Sequence, residues 1–318
     1  MTTRVLQYAK LLSQNGYNVH FLTSDPLTLP EYSPYPHYRL NFYADNFEEH
    51  LLALIREKSI DVVEFQFKSD GYLRNLNIER LKEHVRAGCT IHGDGGFCWK
   101  RINKLDYRLV VSGRLAELVF KDDIKDYAVI LNAVEEQPVQ WKMGGDISRQ
   151  KTALHISRLS SDKLEFLETF VKYCVGNGIE FEIAGCADDD YDLKRRLIRK
   201  FGLDENCFIG EIETTDFLKE HICKYLFVAG VGLVILEAGM LNYPVFITSR
   251  FGVENSTFLS AENFTFFEDS NMTIFGGGKA VPKTQDISRI KEFQLGKEFA
   301  RSRNIKEAFA KYLKVIEQ

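Results

Sequence analysis

The sequence has little that would tie it to a membrane, an oxidising compartment or a polyanion. No apolar run approaches the roughly 20 residues that span a bilayer. The first residues, Met-Thr-Thr-Arg, lead into an amphipathic pattern rather than a signal-peptide core. Six cysteines (Cys89, Cys98, Cys174, Cys186, Cys207, Cys223) are scattered without a C-x-x-C pair, most of them in or beside apolar runs, as reduced, buried thiols are. Net charge is also small: 41 Lys and Arg against 45 Asp and Glu leave −4, too little to gather a nucleic acid. The expected location is cytoplasmic, where the sequons at Asn255, Asn263 and Asn271 would not meet the glycosylation machinery.

What is present is a globular composition, 45% hydrophobic over 318 residues, enough for two domains with a core each. Strand-length apolar runs alternate with helical patterns, the signature of parallel sheets with crossover helices. In the first half a helix is expected over residues 4–14. Strands are expected at Val19–Thr23, Val62–Phe65, Cys89–His92, Leu109–Ser112 and Val129–Leu131. The segment from Glu135 to Arg149, with Pro138, Gly144 and Gly145, reads as a linker. The second half restarts with strands 152–157, 179–184, 206–209, 225–228 and 244–247 around helices 163–175, 191–201, 214–224 and 232–241, and ends in a charged amphipathic stretch, 286–316. The expected domains are 1–142 and 150–318. The fold class is α/β, two Rossmann-like domains facing a central cleft, with a site at the carboxyl ends of their strands drawing on both halves.

Several segments resemble family 4 glycosyltransferases in order and spacing. His155-Ile-Ser-Arg-Leu-Ser-Ser-Asp-Lys163 resembles the Gly-Arg-Leu-x-x-x-Lys-Gly run that opens the family's second domain. Gly230-Val-Gly-Leu-Val-Ile-Leu-Glu-Ala-Gly239, with Tyr243-Pro-Val-Phe246 after it, resembles the Glu-Gly-Phe-Gly-Leu-x-x-x-Glu-Ala element and its following strand. Phe181–Gly185, Phe208-Ile-Gly210, Val129-Ile-Leu-Asn132, Val110-Val-Ser112 and Thr90-Ile-His92 are weaker matches in the same register. The resemblance implies the GT-B type of fold and a retaining transfer of a hexose from a UDP- or GDP-linked sugar, the nucleotide sugar being a substrate and no cofactor being needed. It also implies a carbohydrate, glycolipid or glycoprotein acceptor and a place in polysaccharide or glycolipid synthesis. It admits peripheral membrane contact, although no helix concentrates basic and aromatic residues for it.

The chemistry explains why such residues would be needed. Breaking the bond between an anomeric carbon and a diphosphate builds negative charge on the leaving group, and something cationic must meet it. Arg158, at a strand end, offers a planar fork to phosphate oxygens, and Lys163, at the next helix start, adds a point charge. Read alone, the pair could equally be solvated surface cations. Glu237 lies inside the apolar run Leu233-Val-Ile-Leu-Glu-Ala, where an unpaired carboxylate would be costly or protonated, so it needs a partner. By resemblance that partner is the nucleoside ribose; a Glu facing outward is the plain alternative. Gly230, Val231, Gly232 and Leu233 would bring backbone close to the donor. His92, followed by Gly93-Asp94-Gly95-Gly96, resembles the family histidine that contacts the donor sugar from across the cleft; it could also be a structural strand-end residue.

Two departures bear on activity. The family's first glutamate would fall on Ala229, and the family's opening strand and Gly-Gly loop are missing, with Arg4 in the place of that loop's arginine. A catalytically impaired relative, binding nucleotide or a partner protein, is therefore the alternative function. Asp188-Asp189-Asp190-Tyr191-Asp192 contains the Asp-x-Asp of metal-dependent transferases, but its place before a helix reads as an acidic helix start, so no metal site is expected. Gly276-Gly-Gly278 with Lys279 lacks Walker spacing and reads as a connector.

Overall fold

The computed structural model describes residues 2–24, 34–67, 71–93, 99–120, 126–134, 150–185, 191–221, 224–270, 272 and 283–318. It forms two compact units, Met1–Asn132 with Lys306–Gln318, and Ala133–Ile305. The expected linker, Asp188–Asp190 and Gly276–Lys279 lie outside the described residues.

The first unit holds β1 (Phe21–Thr23), β2 (His37–Arg39), β3 (Val62–Phe67), β4 (Arg86–Ile91), β5 (Tyr107–Val110) and β6 (Ala128–Val129). The last four pair in chain order, all parallel, while β1 and β2 form a separate parallel pair. The helix Phe47–Lys58 shows why the elements form where they do. Phe47, Leu51, Leu52 and Ile55 recur at helical spacing and are buried, Glu48 and Glu49 occupy the first turn, and Arg56 and Lys58 the last. The chain leaves that helix through Ser59 in the left-handed region, φ 51°.

Chain order placed both terminal helices in the second domain; Lys306–Gln318 instead belongs to the first unit. The reason is tertiary. From the last helix, Ile305–Ile316, Tyr312 packs on Tyr8 of the first helix with ring centroids 4.8 Å apart, and Arg86 Nη2 donates to the carbonyl oxygen of Val315 at 2.8 Å.

The second unit contains β7 (Thr152–Ile156), β8 (Glu180–Ala184), β9 (Phe208–Gly210), β10 (Val228–Gly230), β11 (Val245–Ile247) and β12 (Thr257–Phe258), in the spatial order β12-β11-β10-β7-β8-β9. All pairs are parallel except β11 with β12. That antiparallel edge was not expected; the connection from Ile247 to Thr257 is too short for a crossover helix, so the chain can only turn back. Both faces of the sheet are covered. Leu154, Ile156 and Val228 enter one buried cluster and Ala153, Phe227 and Ala229 another, which is why these strands read as continuous apolar runs.

Candidate functional site

Succession in the second sheet reverses at β7: β8 pairs on one side of it and β10 on the other. A crevice at the carboxyl ends of the strands is expected at such a switch point. The residues after β7 and β10 leave the sheet side by side there, and a Cβ placed on Gly230 would stand 3.1 Å from the carbonyl oxygen of Ile156.

Arg158 and Lys163 lie on the first of these two segments and converge. Arg158 Nη2 stands 3.7 Å and Lys163 Nζ 3.3 Å from the same oxygen, Asp162 Oδ2. Burial raises the Asp162 carboxyl, but a hydrogen bond from Ser160 and the charges of Lys163 and Arg158 outweigh it and hold the group below the usual carboxylate range. Asp162 was not singled out from sequence, where an acid between two cations looks like ordinary surface. His155, within β7 just before that segment, is a core residue. Its ring is buried against Phe170, centroids 5.0 Å apart, and Nε2 has no hydrogen-bond partner among the described residues. Burial, then the charge of Lys163, push it down to about 3, so it is neutral.

On the neighbouring segment Gly230 ends β10, Val231 and Gly232 follow, and Leu233 begins the helix Leu233–Met240. Gly232 caps that helix with φ 67° and ψ −127°, and its N–H donates to the carbonyl oxygen of Met272 at 3.0 Å. Gly232 has no side chain with which to cap the helix, whose first amides form its partial positive end. Substituting alanine for Gly232 puts a Cβ on a backbone that only glycine adopts readily. We expect Gly232→Ala to destabilise the second unit by about 1–3 kcal/mol in urea unfolding.

Glu237 occupies the second turn of this helix, flanked by fully buried Ile235, Leu236 and Ala238. Its carboxyl accepts a hydrogen bond from Thr214 and faces Glu213; burial first, then the Glu213 charge, push it up to about 8. The sequence argument that this carboxylate must find a partner or take up a proton is met, among the described residues, by the Thr214 hydroxyl and an elevated pKa. Glu213 itself caps the helix Thr214–Glu220, accepting from the Asp216 N–H at 2.6 Å.

Ala229 is placed differently from the sequence expectation. Strand pairing begins at Leu226, whose N–H donates to Thr152 O at 2.8 Å, and β10 runs on through Gly230, past the expected end at 228. Ala229 is thus within the sheet, paired with His155 and Phe246, and fully buried in the aromatic cluster of Phe170, Phe227 and Phe246. A glutamate there would have no solvent.

His92 belongs to the first unit and the other candidates to the second. It follows β4 and is half-buried, with Nε2 2.6 Å from Gln66 Oε1. Arg4 is buried, bonds to Asn132 Oδ1 at 2.8 Å and stacks over Tyr8. Cys89 and Cys174 are buried free thiols, and burial raises both; Cys207 is half-buried and raised to about 11. None of these three has the lowered pKa of a nucleophile. Among the described residues no helix is long and apolar enough to cross a membrane.

No model of a protein family matches the sequence, and no curated protein matches it. Solved structures do match. A glycosyltransferase of Rickettsia africae superposes with a TM-score of 0.67 at 12% identity, over 98% of this chain and 93% of that one. HepE of Anabaena, solved with UDP and glucose, gives 0.63 at 13% identity over 99% and 95%. The lipopolysaccharide outer core galactosyltransferase WaaB gives 0.61 at 12% identity over 99% and 94%. The chain has the GT-B fold. Within this GT-B chain Arg158, Lys163, Gly230 to Leu233 and Glu237 belong to one Rossmann-like unit and His92 to the other.

Proposed function

We propose that this protein is a glycosyltransferase of the family 4 kind, moving a hexose from a UDP- or GDP-linked sugar to a hydroxyl of a carbohydrate, glycolipid or glycoprotein with retention of configuration. One observation carries the reading: two cationic side chains converge on a single carboxylate oxygen, on a segment that leaves the sheet at its switch point beside the one that opens a glycine-capped helix. A diphosphate offers the same kind of oxygen with more charge. As the anomeric C–O bond breaks, its electron pair passes to the diphosphate. Arg158, Lys163 and the amides after Gly232 meet that charge without calling on a metal ion. The acceptor oxygen bonds to the anomeric carbon and gives up its proton to an oxygen of the departing diphosphate. Glu237 accepts hydrogen bonds from the ribose hydroxyls, and the backbone from Gly230 to Leu233 lines the donor. Synthesis of polysaccharide or glycolipid in the cytoplasm is the setting that fits.

A calorimetric panel of UDP, GDP and their hexose conjugates, paired with a donor-hydrolysis assay, tests this. We expect one nucleotide series to bind and its sugar to be turned over; no binding by any member would overturn the proposal. The burial of Ala229 favours a second reading, a relative that holds nucleotide without turnover, because the position that bears the family's first glutamate cannot reach a sugar here. Binding without hydrolysis or transfer is the result that selects it.

A further inference from the structure

The acid between the two cations of the candidate site has a partner on each of its oxygens. Asp162 Oδ1 accepts from Ser160 Oγ at 2.5 Å, and Oδ2 faces Lys163 Nζ at 3.3 Å, with Arg158 Nη2 farther off at 3.7 Å. One short turn, Ser161–Lys163, sets these side chains together, closed by the Lys163 N–H on the carbonyl oxygen of Ser160 at 2.8 Å. The two sides of the Lys163 pair are not alike. The lysine side chain is 24% exposed and its ammonium also lies over the Phe166 ring, 5.3 Å from the centroid, whereas Asp162 is 55% exposed. Of the two, the carboxylate loses less by turning into water.

Asp162 is ionised at neutral pH, since the burial that raises its carboxyl is outweighed by the Ser160 hydrogen bond and the charges of Lys163 and Arg158. An anion that reaches Lys163 must therefore displace a full negative charge already in place. The reverse holds as the anion leaves. The carboxylate is one residue away along the chain, an intramolecular competitor that dilution does not remove. Ser160, by engaging Oδ1, leaves Oδ2 as the oxygen turned to the ammonium.

We propose that Asp162 is a positioning residue that stands in for a phosphate oxygen at Lys163 and hastens departure of the nucleoside diphosphate by taking the ammonium back, with Ser160 holding the carboxylate within reach. The inference rests on the assignment of Lys163 to the diphosphate under the proposed function. It adds that the protein carries its own competitor for the product, so affinity is held below what the two cations alone would give.

Stopped-flow fluorescence with N-methylanthraniloyl UDP and GDP tests this on the full-length protein and on Asp162→Asn. For the nucleotide that binds, the release rate constant should fall in the variant by about 3- to 10-fold, the range that one or two half-exposed ion pairs give. Kd should tighten with it, most of the change lying in release rather than association. Damage to the fold would weaken binding instead. Parent and variant should converge at about 1 M salt, where exposed charges are screened. In a Lys163→Ala background the same substitution should alter release by a smaller factor. Release as fast in Asp162→Asn as in the parent at low salt, or an effect that persists undiminished without Lys163, would overturn the inference. Binding with equal release rates would overturn it alone and leave the proposed function standing; no binding of either nucleotide by the parent would refute the proposed function and this inference together.

Discussion

Arg158→Ala is expected to weaken binding of the cognate nucleoside diphosphate by about 10- to 100-fold and to lower sugar transfer by on the order of 10²–10³. A hydrogen bond to a charged group contributes about 1.5–3 kcal/mol, and 1.4 kcal/mol is a factor of ten; the further loss in rate reflects charge that grows only as the bond breaks. Lys163→Ala should follow in the same direction. Arg158→Lys should restore only part of the loss, because an ammonium cannot form the two parallel bonds of a guanidinium. Folding should hardly change. Arg158 and Asp162 are each about half exposed, at 52% and 55%, and pairs of that kind contribute about 0–1 kcal/mol. Asp162 gives the opposite sign: it competes with phosphate for both cations, so Asp162→Asn should bind the diphosphate more tightly. Calorimetry on the four variants checks the set, and an Arg158→Ala protein that binds as tightly as its parent would remove the diphosphate assignment.

Glu237→Gln is expected to make the protein more stable and less able to bind nucleotide. The folded carboxyl is raised to about 8 from an ordinary 4.5. The folded state therefore holds a proton that the unfolded chain has released. Between those two values stability falls as pH rises, at up to about 1.4 kcal/mol per pH unit, and it levels above pH 8. Glutamine carries no such penalty, so urea unfolding at pH 8 should show a gain on the order of 4 kcal/mol that shrinks toward pH 5. Binding runs the other way. Ribose hydroxyls donate to the ionised form and pull the pKa down, so binding near pH 7 should release up to one proton and tighten as pH approaches 8. Calorimetry in two buffers of different ionisation enthalpy measures that release. Equal proton exchange in parent and variant would separate Glu237 from the ribose.

Much of this arrangement could be read from the chain. The helix 191–201 falls at the expected residues, and strands 152–157, 179–184 and 244–247 lie within a residue of their observed ends, because each is a long or continuous apolar pattern between turn residues. Shorter elements could not be placed. His37–Arg39, Thr257–Phe258 and the helix Phe264–Asp269 carry no periodicity of their own and exist through the neighbours they pair or pack with. The strand at 225–228 shows the cost of a small slip, since its extension to Gly230 is what takes Ala229 out of a loop and into the core.

The site divides in the same way. Glu237 could be flagged by sequence alone because a carboxylate inside an apolar helix breaks the local pattern, and the alternating Glu64 and Gln66 in an apolar strand are a signal of the same type. The Gln66–His92 and Tyr312–Glu64 hydrogen bonds join residues whose separation along the chain says nothing of their distance in space, whereas the Asp162 bridge is local and only its geometry was hidden.

Sequence by itself determined the alternation of strands and helices and the residue types able to meet phosphate and ribose, since these depend on periodicity and local polarity. Tertiary structure decided which strands are neighbours, which unit receives the last helix, and which side chains share a proton or a charge. Those are set by long-range packing and burial, which shift a carboxyl only once the chain has closed around it.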